Sequence, residues 1–309
     1  MTEFLIWYSI PLLALALDRL LGEPKHWHPL VGLGNFANVI ETSLNQSQFN
    51  PRVRQLFGVL AVALILFVII SVLIFLQQFQ WNYLLSVLIV YLCIGAKSLE
   101  QHVQAVSQAL TDNDLSQSRH ELQKIVSRDT QAMDEAQVVK ASIETSLENG
   151  NDAIFAVLFF YALVGIPGVV AYRIINTLDA MWGYKTERFK CFGWAAARCD
   201  DVMNWVPARL TALAFVFQGS SFRVLRCWFM QAAKCASPNG GVVMSAGAGA
   251  LGVCIGGAAV YHGQIKYKPV IGAGREPVLS DIARTLRLIQ ITTAIWLAYL
   301  FVFYLFVKL

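Results

Sequence analysis

The sequence predicts an all-α fold, a polytopic integral membrane helix bundle with helical segments outside the membrane. Composition is the first reason, since 56% of the 309 residues are hydrophobic and only 14% are charged. Soluble domains carry about 25% charged residues. The chain is long enough for a large core but has too little polar surface to cover that core in water, so lipid is expected to cover part of it.

The second reason is an uninterrupted apolar run, Phe57 to Leu76, which contains no charged residue. A helix needs about 20 such residues to cross about 30 Å of hydrocarbon. Each Leu, Ile, Val or Phe near the bilayer centre favours insertion by roughly 0.3–0.6 kcal/mol, so the whole run favours it by several kcal/mol. The alternative, a helix buried in a soluble core, is disfavoured by the length and purity of the run.

Weaker apolar runs predict further spans, and we interpret the whole chain, 1–309, as one membrane domain. The candidate spans lie near residues 4–17, 57–76, 83–96, 153–171, 202–217 and 291–307. Basic residues occur in all the polar stretches between them, so the charge distribution indicates no orientation. The net charge is only +4 and no polybasic run is present, which argues against a nucleic-acid partner.

The polar stretch Lys97–Asp152 is predicted to be largely helical, because Ala, Gln, Glu and Leu dominate it and no Pro or Gly occurs before Gly150. Asp114 is predicted to cap a helix through Leu115–Ile125. The tetrapeptide Ser127-Arg128-Asp129-Thr130 is predicted to open the next helix.

Three carboxylates on that next helix, Glu144, Glu148 and Asp152, follow one another at i, i+4 and i+8 and share a face if the helix persists. Like charges so placed repel by roughly 0.2–0.5 kcal/mol per pair. Mg²⁺, an Arg or water would relieve the repulsion. Two interpretations stay open here, a solvated acidic face and part of a cation site near the membrane surface.

The segment between Arg173 and Arg209 gathers ionisable and amide side chains where the chain enters another apolar run. On a helix, Asp200 would stack with Asn204, and Asp201 with Trp205 and Arg209. An Arg inside an apolar run costs a few kcal/mol unless it is paired or hydrated, so such residues are functional candidates. The alternative is a structural Asp201–Arg209 pair that locks two helices. Paired carboxylates with nearby Arg and Asn side chains are also what a Mg–nucleotide site needs.

Two glycine-containing motifs follow. Ser237-Pro238-Asn239-Gly240-Gly241 is a strong turn signal, and its backbone N–H groups and the Asn239 amide could hold an anion. The stretch from Gly247 to Gly252 matches G-x-G-x-x-G, but no strand precedes it, so we reject a dinucleotide site. Close helix packing through small residues explains this second motif better.

A series of short motifs occurs in order along the chain, and each of them alone is weak. They are Asp18-x-x-Leu21-Gly22-Glu23-Pro24 with His28-Pro29; Ser127-Arg128-Asp129-Thr130; Glu144-x-x-x-Glu148-Asn149; Arg173-x-x-Asn176-Thr177-Leu178-Asp179; Glu187-Arg188-Phe189; Phe192-Gly193-Trp194-Ala195-Ala196-Ala197-Arg198; Asp200-Asp201-x-x-Asn204-Trp205-x-Pro207-Ala208-Arg209-Leu210-Thr211; Ser237-Pro238-Asn239; and Gly249-Ala250-Leu251-Gly252. Their order and spacing together are highly specific. By them the chain resembles, over nearly its whole length, the cobalamin-biosynthesis membrane family called CbiB, or CobD in some pathways.

The chain departs from this family's pattern at three places. The family usually has Asp where this chain has Glu23, His-Pro where it has Cys235-Ala236, and Arg where it has Cys254. The first difference exchanges one carboxylate for another. The other two put in doubt an anion-binding role for the Ser237 loop and leave the Asp, Glu and Arg residues of the other motifs untouched.

The resemblance implies an enzyme, an amide-forming carbon–nitrogen ligase of cobalamin biosynthesis. The family's reaction is the ATP-dependent joining of adenosylcobyric acid to aminopropanol phosphate, or a related amino alcohol, to give adenosylcobinamide phosphate. A carboxylate must be activated before an amine can displace oxygen from it. ATP with Mg²⁺ can convert it to an acyl phosphate while the metal and Arg side chains hold the developing charge. Activation by nucleotide transfer, through an acyl adenylate, stays open. The implied cofactors are therefore ATP and Mg²⁺, and the corrinoid is a substrate.

The resemblance also gives particular residues predicted roles. The predicted catalytic residues are Asp129, Asp179, Glu144 and Asp201, with Asp129 or Asp179 accepting the amine proton. The predicted metal ligands are Glu144, Glu148, Asp200 and Asp201. The predicted nucleotide- and phosphate-binding residues are Arg128, Arg188, Asn149, Asn204, Arg209, Ser237 and Asn239. Trp182, Trp194 and Trp205 could face the corrin ring, although aromatic residues at a membrane interface need no such explanation.

The implied location is the bacterial inner membrane, crossed several times, with the active site on the cytoplasmic side. Membrane lipid is a further expected partner, and a homo-oligomer or an association with other late cobalamin-pathway enzymes stays open. Two alternatives come from other functional classes. A transporter should show paired broken helices in an internal repeat, and none is visible in the sequence. An AmpE-like membrane signalling protein would share the outline without needing the Asp, Glu, Arg and Asn motifs.

Overall fold

Helices dominate the computed structural model of the protein, which describes residues 2–24, 28–79, 81–261 and 264–308. The chain is 75% helical with almost no strands, which confirms the predicted all-α membrane fold class. The α-helices are α1 (Thr2–Leu21), α2 (Pro29–Leu44), α3 (Pro51–Leu76), α4 (Asn82–Cys93), α5 (Ala96–Thr111), α6 (Leu115–Gln123), α7 (Glu135–Gly150), α8 (Ala156–Val164), α9 (Ile166–Trp182), α10 (Trp194–Met203), α11 (Trp205–Val216), α12 (Ser221–Gln231), α13 (Gly240–Leu251) and α14 (Ser280–Lys308). A π-helical turn, Asn151–Phe155, joins α7 to α8, and a 3₁₀ turn, Ala232–Lys234, follows α12.

Two strands form an antiparallel hairpin that no sequence pattern above predicts. Strand β1 (Cys254–Tyr261) pairs with β2 (Gln264–Gly272), and Cys254 lies opposite Gly272. The register shifts between Ile255 and Gly257, which marks a bulge near the open end of the hairpin.

Four described helical stretches are long and apolar enough to cross a membrane. They are Pro51–Leu76, Asn82–Thr111, Glu135–Val164 and Ser280–Phe306. The predicted run 153–171 is interrupted at Gly165, between α8 and α9. The predicted run 202–217 corresponds to α11, a shorter apolar helix of 12 residues.

The chain divides into two compact units. The first unit contains the described residues of Met1–Gly95, Ala156–Asn204 and Leu300–Leu309, and the second contains Ala96–Phe155 and Trp205–Tyr299. The boundaries fall inside or beside helices and not at flexible linkers, so both units are built from interleaved parts of the chain.

The core of the first unit is assembled from α2, α3, α9 and α10. Ile65, Leu178, Trp182 and Phe192 are buried there together, and the rings of Trp182 and Phe192 meet edge to face with centroids 5.0 Å apart. The prediction that Trp182 faces the corrin ring is therefore wrong, because this indole fills the core. Trp194 and Trp205 are exposed, as that prediction would require.

The core of the second unit surrounds α13, all of whose residues are buried. A Cβ added at Gly247 would lie 2.5 Å from a methyl carbon of Leu147 on α7, and one at Gly249 would lie 3.2 Å from the Sγ of Cys227 on α12. Larger side chains at these glycines would push the neighbouring helices away. This geometry confirms close packing as the reason for the G-x-G-x-x-G pattern.

Polar side chains set two helix starts in the second unit. The Asp114 carboxylate accepts a hydrogen bond from the Gln117 N–H, which confirms the predicted cap of α6. The prediction that Ser127–Thr130 opens a helix is wrong. The next helix starts at Glu135, where Asp134 and Gln137 form a reciprocal capping box.

Candidate functional site

A buried carboxylate, Glu144 of α7, is at the centre of the polar cluster in the second unit. Its Oε2 accepts from Arg128 Nη2 at 2.6 Å and from Lys268 Nζ at 3.0 Å, and its Oε1 accepts from the Gly256 N–H at 2.9 Å. Glu144 is 3% exposed and Arg128 is 8% exposed. A solvated acidic face is therefore excluded for Glu144. The cations that relieve its charge come from the protein itself.

Lys268 and Gly256 reach Glu144 from the β-hairpin, which sequence reasoning missed. Gly256 adopts φ +96° beside the bulge, a left-handed conformation that favours glycine. The sequence does contain a signal for the second strand of this hairpin. From Gln264 to Lys268 polar and apolar residues alternate, which is typical of a strand with one buried face.

The loop before α13 lies next to the same helix, α7. The Ser237 hydroxyl accepts from the Gly240 N–H at 2.9 Å, and a Cβ added at Gly240 would lie 2.6 Å from Glu148 Oε1. The side chain of Asn239, 5% exposed, accepts from Arg209 Nη1 at 2.9 Å. The predicted turn at 237–241 is thus present. Its Asn239 binds Arg209, so two predicted binding residues from different parts of the chain are in contact.

Arg209 is held at the start of α11. Its Nη1 also donates to the Trp205 carbonyl oxygen at 2.7 Å, and its guanidinium carbon lies 4.3 Å from the centre of the Trp205 ring. These contacts stabilise a charge within an apolar helix. Asn149, on α7, donates to Thr145 Oγ1 at 3.1 Å.

The third carboxylate of the predicted acidic face departs from ideal helical spacing. The α-helix ends at Gly150, and Asp152 belongs to the π-helical turn.

Asp129, in the loop after α6, accepts from the Gln131 N–H at 2.9 Å and is partly exposed.

In the first unit, Asp200 on α10 is held by amides. Its carboxylate accepts from Asn204 Nδ2 at 3.1 Å and from Asn176 Nδ2 at 3.3 Å, and Tyr172 donates to Asn204 Oδ1 at 3.1 Å. Burial raises the pKa of Asp200 above its ordinary value; the two amide hydrogen bonds oppose this shift and the Asp201 charge adds to it. The predicted Asp200–Asn204 stacking is confirmed.

The other predicted residues of the first unit lie in separate contacts. Asp201 pairs with Arg198 at 2.9 Å. Arg188 binds Glu41, with Nε at 3.0 Å from Oε1 and Nη2 at 2.5 Å from Oε2. Asp179 lies in the last turn of α9 and is partly exposed.

The structure thus gathers Arg128, Glu144, Glu148, Arg209, Ser237 and Asn239 within the second unit, and Asp200 with Asn204 within the first. The convergence of all of them on one site stays a prediction, as does the Asp201–Arg209 pair, which would join the two units. Among the described residues, no three His, Cys, Asp or Glu side chains come together in a group that could hold a metal ion.

Comparisons with known proteins agree over most of the chain. Residues 11–289 match the model of a family described as CobD/Cbib protein. A cobalamin biosynthesis protein CobD from Chromobacterium violaceum is 48% identical over 290 residues, which cover 93% of each chain. The CobD of Stutzerimonas stutzeri is 47% identical over 92% of this chain and 93% of its own. A cobalamin biosynthesis protein CbiB from Salmonella choleraesuis is 35% identical over 93% of this chain and 94% of its own. No solved structure matches the chain.

Proposed function

The chain belongs to the CobD/CbiB family and has a role in cobalamin biosynthesis, and we propose that within this pathway it joins adenosylcobyric acid to aminopropanol phosphate in an ATP-dependent amide formation. The product would be adenosylcobinamide phosphate. The protein would then be a carbon–nitrogen ligase that works at the inner membrane with its site facing the cytoplasm.

One observation carries the proposal. In the second unit, two cationic side chains, Arg128 and Lys268, are fixed on the buried Glu144, and a third, Arg209, is fixed by Asn239 at the start of α13. Both substrates and ATP bring anionic groups to the reaction. Cations held in defined positions are what stabilises phosphoryl charge in such transfers.

In the proposed reaction, a carboxylate oxygen of the corrinoid attacks the terminal phosphorus of ATP, and ADP leaves with the electron pair of the broken P–O bond. The amine nitrogen then attacks the acyl carbon, phosphate leaves with the electron pair of the C–O bond, and the nitrogen loses a proton. We assign the phosphate groups to Arg128, Arg209 and Lys268. The proton acceptor would be Asp129 or Asp179, both partly exposed.

We propose a positioning role for Glu144 in place of metal coordination, because two cations of the protein, Arg128 and Lys268, already neutralise its charge. Mg²⁺ usually takes one or two carboxylates together with substrate phosphates and water. Asp200 and Asp201, with the Asn204 amide, would supply such a set, and Glu148 is the remaining candidate ligand. Bound Mg²⁺ would neutralise charge on the transferred phosphoryl group.

Membranes that contain the protein, supplied with adenosylcobyric acid, aminopropanol phosphate and Mg-ATP, should form adenosylcobinamide phosphate, detected by its mass. Asp201→Asn should lower the rate by at least about 100-fold. Asp112→Asn is the matched control, because Asp112 lies in the turn after α5 and accepts only from Gln108 among the contacts described. No product from the unaltered protein would contradict the proposed reaction, and full activity of Asp201→Asn would remove Asp201 from the site.

A further inference from the structure

Helix α12 presents a large apolar face outward. Phe222, Phe229 and Met230 are 76%, 71% and 63% exposed, and at spacings of i, i+7 and i+8 they share one side of the helix. On the opposite side Val224 and Cys227 are buried, and this side packs against α13. Three large apolar side chains on one face of an amphipathic helix indicate a surface that something apolar covers.

The same region has an excess of positive charge, although Lys268 and Arg275 pair with Glu144 and Asp281. Between residues 202 and 275 the sequence contains seven Lys and Arg but no Asp or Glu. Arg226, on the outward side of α12, and Lys234, just after it, are both exposed. An anionic surface would complement this charge.

Contacts of α11 show how it lies against the helices that can cross the membrane. Thr211 Oγ1 is 3.1 Å from Asn151 Oδ1, and the neighbouring Gly150 is packed against Ile289 of α14. Gln218, seven residues after Thr211, donates to Thr292 Oγ1 at 2.7 Å. Thr211 thus lies one contact away from Ile289, whereas Gln218, in the turn after α11, contacts Thr292 directly. Two points about 10 Å apart along a helix therefore lie near residues of α14 that are only three positions apart. Helix α11 lies across α14 and not along it.

The contact between Gln218 and Thr292 lies close to the expected membrane boundary along α14. The charged residues Asp281, Arg284 and Arg287 are followed by an uncharged stretch from Leu288 to Val307. Thr292 lies only about 6 Å inside that stretch at 1.5 Å per residue.

The start of α12 lies at the same height. Arg223 donates to the Gly249 carbonyl oxygen at 2.6 Å, and Arg284 of α14 donates to that of Leu251 at 2.9 Å. Both arginines thus reach the same end of α13. With 12 and 11 residues, α11 and α12 are about 18 and 16 Å long, which is too short to cross about 30 Å of hydrocarbon.

We propose that α11 and α12 form a helical hairpin that lies in the membrane interface and binds anionic lipid. Phe222, Phe229 and Met230 enter the acyl region, and Arg226 and Lys234 hold phosphate headgroups. Lipid fits this face because the hairpin lies where α14 turns from charged to apolar, so the bilayer that surrounds α14 continues over α12. This inference does not depend on the proposed reaction.

The depth of the face is tested with nitroxide spin labels on the full chain in phospholipid nanodiscs. Labels are placed at Phe222→Cys and Phe229→Cys, with the accessible native cysteines changed to Ser, and at Asn113→Cys in the turn after α5 as the aqueous control. Labels at 222 and 229 should collide more with oxygen than with a water-soluble nickel complex, and the label at 113 should do the reverse. Labels at 222 and 229 that prefer nickel would overturn the proposal.

Spin–spin broadening at 222 or 229 that disappears when labelled chains are diluted with unlabelled ones would also overturn the proposal. That result would show that a second copy of the chain, and not lipid, covers the face.

Headgroup binding is tested by competition between spin-labelled phosphatidylglycerol and phosphatidylcholine for the protein surface. The double variant Arg226→Gln/Lys234→Gln should lower the relative affinity for phosphatidylglycerol on the order of tenfold. Lys185→Gln/Lys190→Gln, which removes two exposed charges elsewhere, should leave it unchanged. An unchanged preference in the first variant would refute the headgroup contacts. If that variant does not fold, the depth measurement decides the proposal.

Discussion

Glu144 shows how a buried charge is stabilised by several donors at once. Its carboxylate joins α7, the loop that holds Arg128, and both strands of the β-hairpin. Removal of one partner from a buried ion pair leaves the other charge uncompensated and typically costs about 3–5 kcal/mol. The residue therefore holds the second unit together in addition to any part it plays in the reaction.

Glu144→Gln is accordingly expected to lower the free energy of unfolding by about 3 kcal/mol, because the Arg128 and Lys268 charges lose their carboxylate. Denaturant titration in detergent measures the change. The control is Glu121→Gln, which removes the i,i+3 pair with the exposed Lys124 but keeps an amide oxygen to accept from Gln117. It should cost less than about 0.5 kcal/mol. Equal stability of the two variants would show that the buried pair adds nothing to the fold.

The Glu41–Arg188 pair predicts an acid dependence of stability in the first unit. Burial alone would raise the pKa of Glu41, but hydrogen bonds from Arg188 and Asn45 and the charges of Arg188 and Arg54 bring it below its ordinary value. A carboxyl whose pKa is lower when folded than when unfolded adds stability above the unfolded pKa of about 4.3. That contribution is lost as the pH falls through the folded pKa.

The thermal midpoint of the unaltered protein is therefore expected to fall between pH 5 and 3 more steeply than that of Glu41→Gln, because the glutamine does not titrate. Above about pH 5 the unaltered protein should be the more stable of the two. Midpoints measured from pH 7 to 3 in the same detergent give the comparison. Parallel curves would mean that Glu41 has the same pKa in the folded and unfolded chain.

At the scale of elements, α3 depends on one glycine for its packing. A Cβ added at Gly58 would lie within 2 Å of the Phe192 carbonyl oxygen, whereas one at Gly32 of α2 would meet no atom within 4 Å. Both glycines lie inside helices. Replacing each of them with Ala therefore separates the effect of helix propensity on stability from the effect of close packing.

Gly58→Ala should destabilise the protein by about 1–3 kcal/mol, because the backbone at Phe192 must move. Gly32→Ala should stabilise it by up to about 1 kcal/mol through helix propensity. Thermal unfolding of the two variants in one detergent checks both signs. A stabilising Gly58→Ala would show that α3 does not approach the turn that contains Phe192 so closely.

Some elements follow from local sequence and others do not. The Asp114 cap, the helix of Phe57–Leu76 and the turn at 237–241 each depend on residues within a few positions of one another, so the sequence predicts them. The true start of α7 at Glu135 was missed because Ser127–Thr130 has the same kind of polar residues as a cap. The β-hairpin is not predicted because its Gly-Gly and Ala-Ala pairs weaken the strand pattern, and its hydrogen bonds to Glu144 and Gln231 come from distant parts of the chain.

For the whole molecule, the four helical stretches long and apolar enough to span predict firm insertion into the bilayer. The protein is expected to stay with the membrane after alkaline carbonate and high-salt washes and to be released only by detergent, because insertion of such helices is effectively irreversible. Immunoblots of the washed pellet and supernatant measure this. Release by carbonate would indicate attachment at the surface only.

By itself the sequence determined the helical membrane fold class, the family and the identities of the candidate residues, because composition, apolar runs and motif order are all properties of the chain read in one dimension. Only the tertiary structure decided that Glu144 is enclosed by Arg128 and Lys268, that Trp182 belongs to a core and that α11 lies across α14. Each of these depends on contacts between residues more than ten positions apart. Local pattern carries no information about which distant partner will neutralise a buried charge or cover an apolar face.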